Sequence, residues 1–226
     1  MPGLGTGTNP KPAQTRHQME PQQIAAHYNR IAQHWAAASF PIANGISQHA
    51  RALQFLAARG NALDIGCGSS GRIIDLLLAH GLTAEGLDIS TEMLRLARIK
   101  HPGVTFHLAD ICIWEFPCSY DFITAWDSIW HVPLARQARV LQKICAALKP
   151  GGVLIFTSGG VDAADERTNP SHGQDLYHAA LGIPHLLQLI AACDCVCRHL
   201  EFDQHPEQHL YLIVQKFGGL PLSAAV

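Results

Sequence analysis

The chain has little net charge, few aromatic residues and no long apolar run. Its formal net charge at pH 7 is −2 over 226 residues, so it lacks the basic surface that a protein needs to wrap nucleic acid. The longest apolar stretches, such as Leu189–Cys193, are far shorter than the roughly 20 residues of a membrane-spanning helix. We therefore expect neither a nucleic-acid partner nor a membrane span.

The seven cysteines are odd in number and follow no spacing that is typical of a disulfide framework. Cys193, Cys195 and Cys197 alternate, so on a strand that begins early enough their side chains share one face. This alternation favours core thiols over a metal site, which usually uses CxxC pairs. The N-terminus also lacks the charged and apolar segments of a signal peptide. These patterns predict reduced thiols, no metal and a cytoplasmic location.

The first twenty residues consist mainly of Gly, Pro, Thr and Gln, which cannot offset the entropy of ordering a chain. We therefore predict a flexible tail at 1–20. With 48% hydrophobic residues overall, the segment 21–218 is long and apolar enough for one core, which predicts a single domain. A short C-terminal tail is expected at 219–226.

Strand and helix patterns alternate through this domain, which predicts a parallel sheet with helices on both faces. A first helix starts near Gln22 and a second covers Gly45–Ala58. Further strands are predicted at 61–66, 83–88, 104–108, 121–126 and 152–158, further helices at 71–80, 91–100, 134–148 and 183–193, and a final strand pair at Cys195–Phe202 and His209–Lys216. The segment Gly159–Gly182 is too long for an ordinary connection and is predicted to be a substrate loop, with a mobile surface loop as the alternative.

The stretch LDIGCGSSGR at 63–72 is the most informative one, because a strand runs into a glycine turn and then into a helix. Gly66 and Gly68 have no Cβ atoms to hold a ligand off the backbone, and the amides at the start of the helix suit an anionic group. Asp88 ends the next strand about 20 residues later, where nucleotide-binding folds present a carboxylate to ribose hydroxyls. A nucleotide cofactor is predicted. The loop lacks a full GxGxxG, which disfavours a nicotinamide dehydrogenase.

Five strings in the order LDIGCGSSGR, GLDIS, FHLAD, YDFITAWDSIWHVP and LKPGGVLIF resemble the motifs of the class I S-adenosylmethionine-dependent methyltransferase family. The resemblance spans roughly residues 24–215. Ser70 stands where the family usually has a third glycine, and a serine fits there if its φ is negative. The resemblance implies an α/β, Rossmann-like, doubly wound seven-stranded sheet of order 3-2-1-4-5-7-6 with strand 7 antiparallel, whose cofactor is covered by the N-terminal helices. It implies S-adenosylmethionine as the cofactor and S-adenosylhomocysteine as the product.

The resemblance also implies a set of cofactor-binding residues: Tyr28, Asp64, Gly66, Cys67, Gly68, Asp88, Ile89, Met93, Asp110, Ile111, Trp126 and Asp127. Asp88 would hold both ribose hydroxyls, but it could instead cap the helix that follows, a role that Ser90 can also take. Trp126 would face the sulfonium. Asp64 and Asp127 could be local capping residues, Asp110 a turn residue, and Tyr28 and Met93 core residues.

His131 matches a histidine that is often found in the small-molecule members of the family, where its neutral ring could take a proton from the acceptor. A structural histidine bonded to a backbone carbonyl is the alternative. Candidate substrate residues are Trp35, Trp130, His172, Tyr177 and His178.

The favoured function is methyl transfer to a small molecule by direct displacement. The chain has no basic groove and lacks the Asn/Asp-Pro-Pro-Tyr/Phe sequence that nucleic-acid amino methylases carry after strand four. An RNA or protein methyltransferase and a non-catalytic cofactor-binding scaffold are the alternatives. Neither the acceptor atom nor the oligomeric state can be read from these motifs.

Overall fold

The computed structural model of the chain describes residues 19–37 and 41–218. The predicted tails therefore lie outside the described residues, apart from Met19 and Glu20. Glu20 forms a capping box with Gln23 at the start of the first helix, and Met19 packs beside Ile24 and Leu176. These two residues belong to the start of that helix and not to a tail.

Helices and strands alternate as the sequence predicts. The helices are α1 (Pro21–Ala36), α2 (Ile46–Leu53), α3 (Arg72–Ala79), α4 (Thr91–Lys100), α5 (Leu134–Ala146) and α6 (Ile183–Ala192). The strands are β1 (Asn61–Ile65), β2 (Thr83–Asp88), β3 (Thr105–Leu108), β4 (Tyr120–Ala125), β5 (Leu148–Gly159), β6 (Asp165–Ser171), β7 (Gln174–Ala180), β8 (Cys195–Phe202) and β9 (His209–Lys216). Helix α2 ends five residues before the predicted Ala58, and Phe55 and Leu56 reach the core from the turn that follows it.

The main sheet has the order β3-β2-β1-β4-β5-β9-β8. Its first five strands are parallel, and β9 runs antiparallel to both β5 and β8. With β8 and β9 counted as strands 6 and 7, this is the predicted order, and the predicted fold class is confirmed. Because the strand order reverses between β1 and β4, the crevice for a ligand is expected outside the carboxyl ends of these two strands.

The segment Gly159–Gly182 is not a loop, and the loop prediction is wrong. Strands β6 and β7 pair as an antiparallel hairpin from Asp165↔Ala180 to Ser171↔Gln174. The turn residues His172 and Gly173 have φ of +47° and +78°, as a two-residue type I′ turn requires. The polar, proline-containing sequence of β6 hides the strand, because it lacks the alternation of apolar residues that identifies one.

The core lies on both faces of the main sheet. Apolar residues of α5 and α6 cover one face, and those of α2 and α3 cover the other. All seven cysteines lie in the described part of the chain and are free. Cys145 and Cys195 are buried in the core, whereas Cys193 caps α6 before β8 begins and so does not join the predicted alternation.

In residues 19–37 and 41–218, no helix is both long and apolar enough to cross a membrane. No group of three or more histidine, cysteine, aspartate or glutamate side chains there is arranged to hold a metal ion.

Candidate active site

A cavity opens at the carboxyl ends of β1, β2 and β4, where the strand order reverses. Eleven of the twelve predicted cofactor residues line it, namely Tyr28, Gly66, Cys67, Gly68, Asp88, Ile89, Met93, Asp110, Ile111, Trp126 and Asp127. His131 and Trp35 line it as well. Residues far apart in the sequence therefore meet at the position that the sheet topology predicts.

The glycine loop between β1 and α3 forms one wall of this cavity. Gly66 has φ of +73°, and a Cβ there would lie 2.3 Å from the Cβ of Ser128, so the position excludes any side chain. Gly68 has φ of +59°, and a Cβ there would meet no atom within 4 Å. The backbone at Gly68 therefore borders open space that a ligand can approach. Ser70 is not among the residues with positive φ, which meets the condition under which serine fits the loop.

Asp88 lies at the end of β2, with both carboxylate oxygens directed by backbone amides. Its Oδ2 accepts from the Gly68 N–H at 2.9 Å and its Oδ1 from the Ser90 N–H at 2.8 Å. The helix cap is made by Ser90, whose Oγ accepts from the Met93 N–H at 3.1 Å. Burial raises the pKa of Asp88 despite these amide bonds. Each oxygen keeps a further lone pair, so the carboxylate can accept two more hydrogen bonds from a ligand.

The wall beyond Asp88 is apolar with one acid at its edge. Ile89, Met93 and Ile111 line the cavity here, and Met93 is almost fully buried. Asp110 Oδ1 accepts from the Cys112 N–H at 2.8 Å, which fixes the carboxylate at the end of β3. This arrangement makes a slot for a flat apolar ring with an acceptor beside it.

Asp64 is the predicted cofactor residue that does not line the cavity. It lies on β1, is almost completely buried, and neighbours the lining residue Ile65. Burial raises its pKa to about 7, with the charge of Arg72 opposing and that of Asp88 adding to the effect. A cation that enters the cavity nearby would stabilise the ionised form of this buried carboxyl group.

Asp127 follows β4 with a strained backbone. Its φ is +51°, an uncommon conformation for a residue other than glycine. The Asp127 N–H donates to Thr157 Oγ1 at 2.8 Å, while its carboxylate accepts from Asn44 Nδ2 at 3.2 Å and bonds to His209 Nε2 at 2.9 Å. Thr157 thus holds the backbone of Asp127, and Asn44 and His209 hold its carboxylate at the cavity wall.

Helix α1 covers one side of the cavity, as predicted for an N-terminal helix. Pro21, Ile24, Tyr28 and Trp35 of this helix line it. The Tyr28 hydroxyl lies 2.7 Å from His131 Nε2, which ties α1 to the segment after β4. Burial raises the pKa of Tyr28, and the charges of Asp88 and Asp127 add to the effect, so its hydroxyl keeps its proton.

His131 is buried and fully engaged. Its Nδ1 lies 2.8 Å from the Tyr177 carbonyl oxygen, which can only accept, so Nδ1 carries the proton. Nε2 therefore accepts, from the Tyr28 hydroxyl at 2.7 Å and from Trp130 Nε1 at 3.0 Å. Burial lowers the pKa of His131 to about 3, and His178 adds to the effect. The contact with a backbone carbonyl is the one expected for a structural histidine.

The substrate candidates do not share one cavity. Trp35 lines the cavity described above, whereas Trp130 and His178 line a second cavity of about 450 Å³ between β6, β7 and the start of β9. His172 lies at the hairpin turn with its ring 4.3 Å from that of His34 and lines neither cavity. Tyr177 is buried and lines neither cavity, and its hydroxyl donates to Glu166 at 2.7 Å and accepts from the Leu134 N–H at 3.0 Å.

Several supporting residues are absent from the sequence predictions. Asn29 accepts from Ser90 Oγ at 2.7 Å and so joins α1 to the cap of α4. Arg72 donates to Ser70 Oγ at 2.9 Å and to the Asn44 carbonyl at 2.8 Å. Arg72 belongs to the glycine-loop string and could have been found by following that motif. Asn29, Asn44 and His209 carry no local signal, because each acts on a partner far away in the sequence.

The side chains around the cavity fit S-adenosylmethionine. The cofactor has a ribose with two hydroxyls, a flat adenine and an amino-acid portion with a cationic amino group. Asp88 offers acceptors for the hydroxyls, the slot between Ile89, Met93 and Ile111 suits the ring, and Asp127 offers an anion for the amino group.

Comparisons with known proteins agree with this architecture. The family model described as a methyltransferase domain matches residues 62–152. Trans-aconitate 2-methyltransferase from Rhodopseudomonas palustris (strain BisB18) is 37% identical over 111 residues, which cover 48% of this chain and 40% of that protein. Ubiquinone biosynthesis O-methyltransferase from Paracidovorax citrulli (strain AAC00-1) is 30% identical over 103 residues, which cover 42% of each protein. The chain thus spans less than half the length of these relatives.

A solved structure extends the likeness to nearly the whole chain. The crystal structure of Burkholderia thailandensis 1,6-didemethyltoxoflavin-N1-methyltransferase with bound 1,6-didemethyltoxoflavin and S-adenosylhomocysteine superposes with a TM-score of 0.65 at 18% identity. The match covers 88% of this chain and 91% of that one. At this identity the likeness shows a shared fold.

Proposed function

We propose that the chain is a class I S-adenosylmethionine-dependent methyltransferase, which transfers the methyl group of S-adenosylmethionine to a small-molecule acceptor. The observation that carries the proposal is the convergence of Asp88, Asp110 and Asp127 with the glycine loop on one cavity at the strand-order reversal. Open α/β sheets bind their ligands at this point.

We assign the cofactor contacts as follows. Asp88 accepts from the ribose hydroxyls. The adenine lies between Ile89, Met93 and Ile111, with Asp110 as the acceptor for its amine. The Asp127 carboxylate binds the amino group, and this cation in turn stabilises the ionised form of the buried Asp64 behind the wall. Burial keeps Cys67 a neutral thiol by raising its pKa, so Cys67 serves the loop by its shape and takes no chemical role.

The bound cofactor supplies a methyl group on a positively charged sulfur that is already a good leaving group. The protein's contribution is then to position the acceptor in line with that methyl and to exclude water, which can lower a barrier by about 7–11 kcal/mol at the upper end. Tyr28 and Trp35 of α1 close one side of the cavity. The Trp126 ring, almost fully buried at its wall, offers an aromatic surface that attracts the sulfonium without competing for the methyl group.

For His131 we propose a positioning role in place of the general-base role considered from the sequence. A pKa of about 3 makes its ring a weak base near pH 7. Its Nε2 lone pair is already shared by the Tyr28 hydroxyl and the Trp130 N–H. By holding these two side chains, His131 fixes the walls that the acceptor meets.

We propose that the acceptor is a small molecule. The curated relatives are named for trans-aconitate methylation and ubiquinone biosynthesis, which favours a metabolite over RNA or protein. Trp130 and His178 lie at the boundary between the two cavities, because the His178 ring is 4.7 Å from that of His131. This boundary is where an acceptor would face the cofactor. The cytoplasmic location stays a prediction.

Calorimetry tests the proposal directly. The purified protein should bind S-adenosylhomocysteine with one site per chain and should not bind NADH. Saturation at about 100 times Kd should raise the free energy of unfolding by about 2.7 kcal/mol. If the protein binds NADH and not S-adenosylhomocysteine, the proposed cofactor is wrong.

If it binds S-adenosylhomocysteine, a screen of metabolites with methyl-labelled S-adenosylmethionine identifies the acceptor. Binding of the cofactor without methyl transfer to any metabolite, RNA or protein would support the scaffold alternative.

A further inference from the structure

His209 is held between two carboxylates at the base of the candidate site. It is the first residue of β9, and it pairs with Gly159 at the end of β5. Since β9 runs antiparallel, its start lies at the same edge of the sheet as the carboxyl ends of the parallel strands. His209 Nε2 lies 2.9 Å from Asp127 Oδ1, and Nδ1 lies 2.5 Å from Asp203 Oδ1.

These two contacts fix the protonation of the ring. An ionised carboxylate can only accept hydrogen bonds, and a neutral imidazole carries a single N–H. Both bonds therefore form together only when His209 is an imidazolium. The ring is 6% exposed and the Asp203 side chain 5%, so water cannot easily replace either partner. The Trp126 and Trp130 rings lie 5.5 Å from it, at a distance where aromatic rings stabilise a cation.

The remaining bonds of the two acids make the arrangement rigid. Asp203 also accepts from Gln48 Nε2 at 2.6 Å, which joins it to α2. Asp127 also accepts from Asn44 Nδ2 and holds an uncommon backbone conformation with φ of +51°. His209 therefore transmits the position of a fixed acid, Asp203, to the acid at the cavity wall, Asp127.

We propose that His209, as an imidazolium clamped between Asp203 and Asp127, is the positioning residue that holds the Asp127 carboxylate ready for the amino group of the cofactor. The inference rests on the proposed function, because it takes Asp127 as a cofactor contact. Loss of the proton from His209 leaves a single N–H on the ring. The contact of Nδ1 with Asp203, at 2.5 Å, is shorter than that of Nε2 with Asp127, at 2.9 Å, so the N–H stays with Asp203 and the bond to Asp127 is lost. The Asp127 side chain then keeps only its bond to Asn44, so cofactor affinity should fall as pH rises.

The surrounding charges set the pH at which this happens. Burial lowers the pKa of His209, but its bonds to Asp127 and Asp203 and the charges of both acids raise it above the ordinary value on balance. Other titratable or charged groups face this pair from neighbouring elements: His49 and Arg72 on the side of Asp127, and Asp165, Arg167, His178 and Glu207 around the second cavity.

The test compares two ligands across pH 6 to 9.5 by calorimetry. S-adenosylhomocysteine carries the amino group, whereas methylthioadenosine has the same nucleoside without it. Wild-type affinity for S-adenosylhomocysteine should fall about tenfold as His209 loses its proton, with the midpoint measured by NMR of the imidazole. Affinity for methylthioadenosine should stay constant over the same range.

Asp203→Asn is the test variant, because it removes the negative charge next to His209 at a residue that lines neither cavity. Both the NMR midpoint and the fall in affinity should move together to lower pH. His185→Gln, a histidine substitution on the exposed face of α6, should leave both unchanged. The readout does not depend on His209 variants, which could fail to fold.

Three outcomes would overturn the inference while leaving the proposed function intact. The first is a wild-type His209 titration midpoint at or below about pH 6.5, the ordinary histidine value. The second is an equal fall in the affinity for both ligands as pH rises. The third is an affinity for S-adenosylhomocysteine that does not change across the midpoint. Failure of the wild type to bind S-adenosylhomocysteine at any pH would instead overturn the proposed function, and the inference with it.

Discussion

Replacing Asp88 with alanine should weaken the binding of S-adenosylhomocysteine at least tenfold. Asp88 is 8% exposed, and each of its carboxylate oxygens accepts one backbone N–H and keeps one lone pair that can accept from a ribose hydroxyl. A hydrogen bond to a charged group contributes about 1.5–3 kcal/mol. Loss of one such bond therefore corresponds to about a tenfold to hundredfold lower affinity, and loss of both to more.

The same substitution also affects the free protein, and a control separates the two effects. Asp88→Ala leaves the Gly68 and Ser90 amides without their acceptor, which should cost about 1–3 kcal/mol of folding free energy. Ser90→Ala removes the N-cap of α4, which should cost about 1 kcal/mol. Ser90 does not line the cavity, so this variant should lose stability and keep its affinity.

Urea unfolding and calorimetry measure both quantities. At a ligand concentration of about 100 times the wild-type Kd, wild type and Ser90→Ala should each gain about 2.7 kcal/mol, whereas a variant with hundredfold weaker binding should gain about 0.4 kcal/mol. If folded Asp88→Ala binds within about threefold of wild type, Asp88 is only an acceptor for local backbone amides and the ribose assignment is refuted.

Three further predictions concern the loop, a buried histidine and the hairpin. Gly68→Ala and Gly151→Ala both place a side chain at positive φ with no atom within 4 Å, and each should lower the free energy of unfolding by about 1–2 kcal/mol. Only Gly68→Ala, at the cavity, should also lower the affinity for S-adenosylhomocysteine, by about tenfold. Equal affinities of the two variants would refute a close approach of the ligand to Gly68. Burial lowers the pKa of His49 to about 4, so as pH falls the unfolded chain takes up the proton before the folded one does, and the folded state becomes less stable. From pH 7.5 to 5, the free energy of unfolding of wild type should fall by about 2 kcal/mol more than that of His49→Gln. Parallel pH profiles of the two proteins in urea unfolding would contradict this. His172→Asn should stabilise the chain by on the order of 0.5 kcal/mol, because Asn-Gly is favoured in a type I′ turn; a lower urea midpoint would show that the ring contact with His34 matters more.

The fold could be predicted because its signals are local. The string from Leu63 to Arg72 places a strand, a turn and a helix within ten residues, and Asp88 follows at a fixed distance. Runs such as His209–Lys216 are apolar enough to be identified as strands. Each of these segments specifies its own structure, and the right-handed connections between parallel strands limit how they can assemble.

The parts that the sequence could not predict depend on contacts between distant residues. Tyr28 and His131 are 103 positions apart, and Asp127 and His209 are 82 apart. The low pKa of His131 follows from burial, which a pattern of residue types does not show. The hairpin of β6 and β7 was missed because backbone pairing and the His172-Gly173 turn stabilise it in spite of the polar sequence of β6.

The position of β9 has a consequence for the order in which the molecule is completed. It follows the other described strands in sequence, yet it lies inside the sheet between β5 and β8. During synthesis the chain emerges from its N-terminus, so one edge of β5 stays unpaired until β9 has been made. An unpaired strand edge can associate with other chains. His209 at the start of β9 reaches Asp127 in the same event. The sheet therefore closes in the same step in which Asp127 gains its contact with His209, and a nascent chain lacks that contact before this step.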